Sequence, residues 1–200
     1  MYFNENIVKE GTESLYEVCK KVNMPLSSDE IECLNGLCEY LIISENDELC
    51  EKYHLRPGVG IAAPQVGVNK RMFAMNCNDF LSEDNKKYFF AWVNPEITFK
   101  SKEMTYLPGG EGCLSVDRDT TGLVTPRHYK IGVKGMVFDY KTKKLKSAKM
   151  VLEGYPAIVF QHEYDHLDGI LYVSKMFEID KLEGPIEPLY ELNDEDSNEE

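Results

Sequence analysis

The chain has 200 residues, of which 42% are apolar and 28% are charged, a composition typical of one soluble globular domain. No run of about 18 apolar residues occurs, which argues against a membrane-spanning helix. The first residues have neither the basic flank nor the apolar core of a secretion signal, so we expect a cytoplasmic protein without a membrane partner.

Charge is distributed unevenly along the chain. The net charge is −13, and residues 191–200 contain six carboxylates and no basic residue. Such a segment cannot bury enough apolar surface to order itself, so we expect a disordered acidic tail at 191–200 after a single domain at 1–190. A tail of this kind also argues against direct nucleic-acid binding, which needs clustered Lys and Arg.

The first clear element is a helix that begins after Ser27. Ser27 and Glu30 form the Ser-x-x-Glu pattern of a capping box, and apolar residues then recur at helical spacing. These residues are Ile31, Leu34, Cys38, Leu41 and Ile42. The stripe predicts packing against the core. For residues 44–54, which follow, we expect an Ω-like surface loop.

Between residues 58 and 149 the sequence changes to short β-rich runs separated by turns. Aromatic and β-branched residues predict strands at 71–75, 88–93, 96–99 and 130–140. An apolar helix follows, with Pro156 suited to its first turn and Gly169 to its C-terminal cap. Residues 173–189 predict a further strand or short helix. The order predicts an α+β fold of mostly antiparallel sheets packed around a buried late helix that carries an HExxH motif.

The strongest functional signal is the sequence QHEYDH at 161–166. Residues four apart lie on one face of a helix, so His162 and His166 can direct two imidazoles at one metal ion. Glu163 lies to the side, where its carboxylate can reach a metal-bound water as general acid/base. A divalent ion lowers the pKa of such a water from about 15.7 towards 7. Asp165 is a candidate to hold one imidazole through its second N–H.

A plainer interpretation is that these are core histidines and solvated acids on an ordinary helix. The four residues before Gln161 are apolar, so the helix is predicted to be buried. Burying two imidazoles and two carboxylates without partners would be costly, whereas a metal satisfies most of them together. We therefore favour the metal site.

HExxH supplies two ligands, whereas catalytic metal sites usually have three protein ligands and an open position. An extended metallopeptidase motif would need a histidine at position 172, which is Tyr172. A carboxylate from a later segment is an alternative third ligand. The candidates are Glu178, Glu183 and Glu187.

An upstream residue is the better candidate for the third ligand. His54 and His128 lie in no supporting pattern. Cys113 lies in the glycine-rich sequence GGEGCLS at 109–115, where the backbone can approach a ligand closely. A thiolate beside two imidazoles suits zinc, iron, nickel or cobalt, and not magnesium or calcium. Because no export signal is seen, most of the other five cysteines are interpreted as reduced core residues. No CxxC pair occurs that would indicate a zinc ribbon or a thioredoxin-like site.

A second glycine-containing loop, RPGVGIAAPQVG at 56–67, resembles a nucleotide-binding fingerprint only superficially. It lacks the third glycine and follows Pro57 where a strand is required. A tight turn packed around two alanines and a functional loop are equally consistent with this sequence. Gln65, with its neutral amide, is the residue to which a function would be assigned.

Taken together, three segments resemble the peptide deformylase family: GVGIAAPQ at 58–65, EGCLS at 111–115 and QHEYDH at 161–166. The family has these motifs in the same order. The resemblance spans residues 58–172 and leaves the first 50 residues and the acidic tail outside it. It implies one catalytic domain that removes the formyl group from N-formylmethionyl peptides of nascent proteins, at the ribosome, and releases formate.

The resemblance also implies the roles of the site residues. One divalent transition metal is bound, Fe(II) in vivo, with nickel, cobalt or zinc as substitutes. The implied metal ligands are Cys113, His162 and His166, and Glu163 is the general acid/base. The side-chain amide of Gln65 and the backbone N–H of Leu114 would stabilise the tetrahedral oxyanion.

Substrate contacts follow from helical spacing and from the same resemblance. Ile158 and Val159 lie one turn before the first histidine, so they share the metal-facing side of the helix. With Gly60 behind them, they would line an apolar slot for a methionine side chain. The backbone at Val59, Gly60 and Gly112 would pair with the extended peptide as an added strand.

Two functions of other classes remain as alternatives. A different metallohydrolase, such as a peptidase, would cleave internal peptide bonds and keep its metal without Cys113. A metal-stabilised or metal-free binding domain would show no hydrolysis at all.

Overall fold

A five-stranded antiparallel sheet lies at the centre of the protein, with one long helix packed on each face. The computed structural model describes residues 1–191. The acidic tail expected at 191–200 therefore lies outside the described residues, except for Glu191. Among residues 1–191, no helix is both long enough and apolar enough to cross a membrane.

The described chain contains three α-helices, ten strands and several short 3-10 helices. The helices are α1 (Ser28–Ile43), α2 (Asp47–Tyr53) and α3 (Gly154–Leu167). The strands are β1 (Gly60–Ala62), β2 (Met72–Asn78), β3 (Lys87–Lys100), β4 (Met104–Tyr106), β5 (Leu123–Val124), β6 (Arg127–His128), β7 (Lys130–Asp139), β8 (Lys144–Glu153), β9 (Phe177–Glu178) and β10 (Ile186–Pro188).

The strand order of the large sheet is β1-β2-β3-β7-β8, and each neighbouring pair is antiparallel. Two smaller sheets have the orders β10-β4-β6 and β5-β9. Only the β10–β4 pair is parallel among the described strands. The predicted mixture of helices with mostly antiparallel sheets is confirmed.

Strand β2 separates the two halves of the hydrophobic core. Met72 and Ala74 belong to the cluster that contains the apolar side of α1. Phe73 and Met75 belong to the cluster that contains the apolar side of α3. Successive side chains of a strand point to opposite faces, so this alternation places the two helices on opposite sides of the sheet. A strand buried on both faces needs the nearly continuous apolar run that β2 has.

Helix α1 begins as its sequence predicts. The Glu30 backbone N–H donates to Ser27 Oγ at 3.2 Å, and the Ser27 N–H donates to Glu30 Oε2 at 2.9 Å, which completes the capping box. Leu34, Cys38 and Leu41 are buried. The prediction for Ile42 was wrong, since it is 39% exposed, because it lies one position past the buried face.

We expect Ser27→Ala to lower the free energy of unfolding by about 1 kcal/mol, because the Glu30 N–H loses its capping acceptor. Ser28→Ala is the matched control, since the Ser28 hydroxyl contacts only the exposed Asp29 carboxylate, at 3.4 Å. Urea denaturation of both variants measures the difference. Equal midpoints for the two variants would contradict the capping assignment.

The structure corrects four local predictions. The strands predicted at 88–93 and 96–99 form one strand, β3, interrupted by register shifts near Asn94, whose φ is +49°. Strand β2 extends three residues further than predicted, to Asn78. Strand β8 was not predicted, because its lysines hide the alternation of an edge strand. The Ω-like loop predicted at 44–54 was wrong, since most of it is α2, capped by Asn46.

Residues from the N-terminal part of the chain pack against the C-terminal end of α3. Gly169 has a φ of +71°, as expected for a C-terminal cap, and a Cβ there would come within 2.5 Å of the Tyr16 carbonyl oxygen. The Cys19 N–H donates to the Leu167 carbonyl at 2.8 Å. Residues 16–19 therefore pack against the C-terminal end of α3.

Candidate active site

Three buried side chains from two distant segments meet beside the central sheet. The Cys113 sulfur and one ring nitrogen each of His162 and His166 lie within 4.8 Å of one another. Cys113 Sγ is 3.4 Å from His166 Nε2, and the two imidazole centroids are 5.2 Å apart. The histidines lie on one face of α3, one turn apart, and the cysteine comes from the loop after β4.

His162 is held by a carboxylate that the sequence interpretation had left without a role. Its Nδ1 lies 2.7 Å from Glu111 Oε2. Arg127 in turn donates two parallel hydrogen bonds to the Glu111 carboxylate, from Nε at 2.7 Å and from Nη2 at 2.8 Å. Burial alone would raise the pKa of Glu111, but the Arg127 guanidinium and His162 outweigh burial and lower this pKa to about 2. Glu111 therefore stays charged and fixes which His162 nitrogen faces the cluster.

Asp165 does not hold an imidazole, so that prediction was wrong. Its carboxylate accepts from Arg127 Nη1 at 2.5 Å and from Lys175 Nζ at 2.7 Å. Arg127 and Lys175 thus occupy the Asp165 carboxylate, and Glu111 takes the place beside His162 Nδ1. A row of charges thus runs from the half-exposed Lys175 through Asp165, Arg127 and Glu111 to His162.

The two imidazoles differ in their surroundings. Burial lowers the pKa of His166 well below its usual value, so its ring is neutral. Burial also lowers the pKa of His162, but the hydrogen bonds with Cys113 and Glu111 outweigh burial, so the pKa of that ring is raised. A neutral imidazole is the form that binds a metal ion.

Glu163 is buried directly beneath strand β1. A Cβ at Gly60 would come within 2.2 Å of Glu163 Oε1, so only glycine fits at that position. Glu163 Oε2 has no hydrogen-bond partner among the described residues. Burial raises the pKa of Glu163 to about 7. A carboxyl group with a pKa near neutrality is suited to take up and release a proton at physiological pH.

The Gln65 side chain is oriented toward the cluster by a hydrogen bond from the backbone of Ala62. It lies in the short 3-10 helix Ala63–Val66, and its Oε1 accepts the Ala62 N–H at 2.8 Å. Its Nε2 then donates to Ser115 Oγ at 3.2 Å and to Cys113 Sγ at 3.4 Å. The amide nitrogen is thus presented to the site by a fixed carbonyl.

A cavity of about 340 Å³ opens beside these groups. Ten of the eleven predicted site residues line it, and only His166 lies behind it, at 1% exposure. The ten are Val59, Gly60, Gln65, Gly112, Cys113, Leu114, Ile158, Val159, His162 and Glu163. The cavity also has walls that the sequence interpretation missed, among them Leu107 and Tyr155.

The other candidate ligands lie elsewhere in the described chain. His54 is an exposed residue at the C-terminal end of α2. His128 Nδ1 is 2.8 Å from the Ser101 carbonyl oxygen. The three late glutamates are exposed, and none belongs to the cluster. They are Glu178, Glu183 and Glu187.

The residues of the cluster fit a bound transition metal. A thiol and two imidazoles form a soft donor set of the kind that iron, zinc, nickel and cobalt accept. Glu163 Oε2 and His166 Nδ1 are buried without a hydrogen-bond partner in residues 1–191, so polar groups remain to be satisfied there.

Comparison with known proteins gives independent evidence on the family of this chain. The family model described as polypeptide deformylase matches residues 4–182. A peptide deformylase of Halalkalibacterium halodurans is 47% identical over 184 residues, which cover 92% of this chain and 93% of that protein. The extent of 58–172 drawn from the motifs was therefore too narrow, since most of the first 50 residues also match.

The solved structures that resemble this chain are also peptide deformylases. A probable peptide deformylase from Synechococcus phage S-SSM7 has a TM-score of 0.62 and 35% identity, over 84% of this chain and 97% of that one. A class I type b peptide deformylase of Acinetobacter baumannii, bound to Met-Ala-Ser, has a TM-score of 0.62 and 29% identity, over 84% and 96% of the two chains.

Proposed function

The chain belongs to the polypeptide deformylase family and is a hydrolase, and on this premise we propose that it removes the formyl group from N-formylmethionyl peptides of nascent proteins. One observation carries the proposal: the Cys113 thiol meets two imidazoles of α3 beside the buried Glu163 carboxyl. The tripeptide bound by the Acinetobacter relative begins with methionine, which supports a methionyl substrate.

We propose Cys113, His162 and His166 as the ligands of one divalent transition metal, Fe(II) in the cell, with nickel, cobalt or zinc as substitutes. When bound, such an ion supplies Lewis acidity, which lowers the pKa of water and polarises a carbonyl oxygen. The Glu111–Arg127 pair acts on the ligands, because it holds His162 in one orientation and one tautomer.

Glu163 moves the proton. As water attacks the formyl carbon, the carboxylate takes its proton, and it returns that proton to the amine nitrogen when the C–N bond breaks. Formate and a peptide with a free amino terminus result. The pKa near 7 supports both transfers, because a group that titrates near the working pH is both a competent base and a competent acid.

The negative charge that develops on the formyl oxygen needs donors. The Gln65 amide nitrogen, whose neighbouring Oε1 accepts the Ala62 N–H, and the backbone N–H of Leu114 fill this role. Ile158 and Val159 line the slot for the methionine side chain, and their burial supports an apolar lining. The backbone at Val59, Gly60 and Gly112 pairs with the extended peptide, since β1 is an edge strand of the large sheet.

We further propose that residues 1–190 form one catalytic domain that acts in the cytoplasm, on chains as they leave the ribosome. Packing of α1 and α3 on the two faces of one sheet supports a single domain. All six cysteines are free thiols, which is the state that a reducing cytoplasm maintains.

The experiment that tests this function is anaerobic purification with metal analysis, paired with a formate assay on formyl-Met-Ala. We expect about one metal ion per chain and formate release that is lost on chelation and restored by Fe(II) or Ni(II). Cleavage of internal peptide bonds without formate would indicate a peptidase. Metal-free protein without hydrolysis would indicate a binding domain.

We expect Gly60→Ala to lower kcat/KM for formyl-Met-Ala by about a hundredfold, because the added Cβ displaces the Glu163 carboxylate by an ångström or more. Gly109→Ala is the control, since a Cβ there meets no heavy atom within 4 Å. Steady-state kinetics of both variants measures the effect. A Gly60→Ala enzyme as active as Gly109→Ala would show that the Glu163 position is not critical.

A further inference from the structure

The C-terminal strap, residues 186–190, consists of β10 followed by Leu189 and Tyr190. It pairs in parallel with β4, and the Leu189 N–H donates to the Tyr106 carbonyl at 2.9 Å. The residue after Tyr106 is Leu107, which lines the cavity. The family match ends at residue 182, so the strap lies beyond the part of the chain that the family model describes.

The strap also contacts the first residue of α3 and Phe80, which packs against the cavity-lining Tyr155. Leu189 lies over Gly154, the first residue of α3, with its Cδ1 3.6 Å from the position of a Cβ there. The Tyr190 ring packs edge-on against Phe80, with centroids 5.5 Å apart at 82°. Phe80 packs against Tyr155 at 4.9 Å, and Tyr155 lines the cavity. A row of three aromatic rings thus connects the strap to the cavity.

Tyr155 lines the cavity from α3, nearly two turns before the first proposed metal ligand, so we infer that it forms the end of the cavity remote from the ligands. It precedes His162 by seven residues, about 10 Å along the helix axis, and the two slot residues Ile158 and Val159 lie between them. Phe80 lies in the turn between β2 and β3 and is 47% exposed, so its position depends on its contacts with Tyr155 and Tyr190.

We propose that Tyr190, acting through Phe80, is a positioning residue that holds Tyr155 as the end wall of the slot and so excludes side chains bulkier than methionine. The inference rests on the proposed function, because it assigns the slot to the first side chain of the substrate. A ring at that position of the substrate would have to push Tyr155 outward against Phe80 and Tyr190. Without the Tyr190 ring, Phe80 and Tyr155 can move outward and enlarge the slot.

The test compares kcat/KM for formyl-Met-Ala and formyl-Phe-Ala in Tyr190→Ala, Tyr190→Phe and Phe99→Ala. We expect the Phe-to-Met ratio to rise on the order of tenfold in Tyr190→Ala, mainly through a lower KM for the phenylalanine substrate. It stays unchanged in Tyr190→Phe, which keeps the ring, and in Phe99→Ala, an exposed aromatic of β3 that is 52% exposed. An equal loss on both substrates, or an unchanged ratio, would overturn the proposal.

Two further measurements keep the result decisive. Phe80→Ala is expected to shift the ratio in the same direction, and the double variant with Tyr190→Ala to shift it no further, since both act on Tyr155. Calorimetric binding of Met-Ala-Ser and Phe-Ala-Ser gives the same comparison without turnover. If the native protein released no formate while Tyr190→Ala gained affinity for Phe-Ala-Ser, the proposed function would fail and the strap assignment would stand.

Discussion

Replacing Glu163 by glutamine is expected to lower formate release from formyl-Met-Ala by about a hundredfold to ten-thousandfold, the usual contribution of a positioned acid/base group. Glutamine preserves the shape of the side chain but cannot take a proton from water. Because Glu163 lies beside the cluster of Cys113 and the two histidines without being one of its members, the metal content should stay at the native level. Formate assays and metal analysis on the same preparation measure both quantities.

Glu153→Gln is the matched control for this variant. Glu153 precedes α3 and pairs with Lys130 at the surface, where both side chains are about half exposed. We expect native activity from it. A Glu163→Gln protein that keeps its metal and most of its activity would remove Glu163 from the mechanism.

The same variant has a stability signature that can be read in the metal-free protein. The pKa of Glu163 is raised to about 7 from an ordinary value of 4.5, so the folded state keeps a proton that the unfolded state releases between these pH values. Its contribution to stability is therefore present below pH 4.5 and is lost as pH rises through 7. We expect Glu163→Gln to be more stable than the native chain at pH 8, by up to about 3 kcal/mol, with no difference near pH 4.

Replacing Arg127 by methionine is expected to lower the free energy of unfolding by about 3 to 5 kcal/mol. Arg127 and Glu111 are both 3% exposed in their side chains, so the variant leaves the Glu111 carboxylate in the interior without its counter-charge. Asp165 loses one partner but keeps Lys175. Urea denaturation measures the loss, and a weaker affinity for the metal should accompany it, because Glu111 no longer fixes His162.

Arg118→Met is the control for removal of an arginine. Arg118 pairs with Glu10 at the surface, 3.0 Å away, with half of the arginine side chain exposed. Such pairs contribute about 0 to 1 kcal/mol. Equal denaturation midpoints for the Arg127 and Arg118 variants would show that the buried pair is not needed for stability. Arg127→Lys, which keeps the charge and loses the paired bonds, should fall between them.

Local spacing explains why part of the site was predictable from the sequence. His162 and His166 share a helix face because they are four residues apart, and the structure places them there. The glycine-rich surroundings of Cys113 favour it as the third ligand, and its sulfur lies in the same cluster. The chemical roles assigned to these residues stay predictions.

Long-range pairing explains why the rest was missed. Glu111 lies inside the EGCLS motif at 111–115, but nothing in the sequence indicates that Arg127, 16 residues later, pairs with it. Asp165 is near both histidines in sequence, yet its carboxylate accepts from Arg127, 38 residues earlier, and from Lys175, pairings that the spacing on α3 does not indicate. Strand β3 appeared as two strands because Asn94 and Pro95 resemble a turn, whereas Asn94 bridges to both backbone groups of Val22.

Three contacts of the site join distant parts of the chain: 48 residues separate Gln65 from Cys113, 51 separate Glu111 from His162, and 53 separate Cys113 from His166. Closing loops of this length costs entropy before any contact repays it, so such structures form late and more slowly than local helices. A growing polypeptide cannot complete this arrangement until α3 has been synthesised. Metal binding during refolding would therefore report when the last long-range contacts form, and not when the chain first collapses.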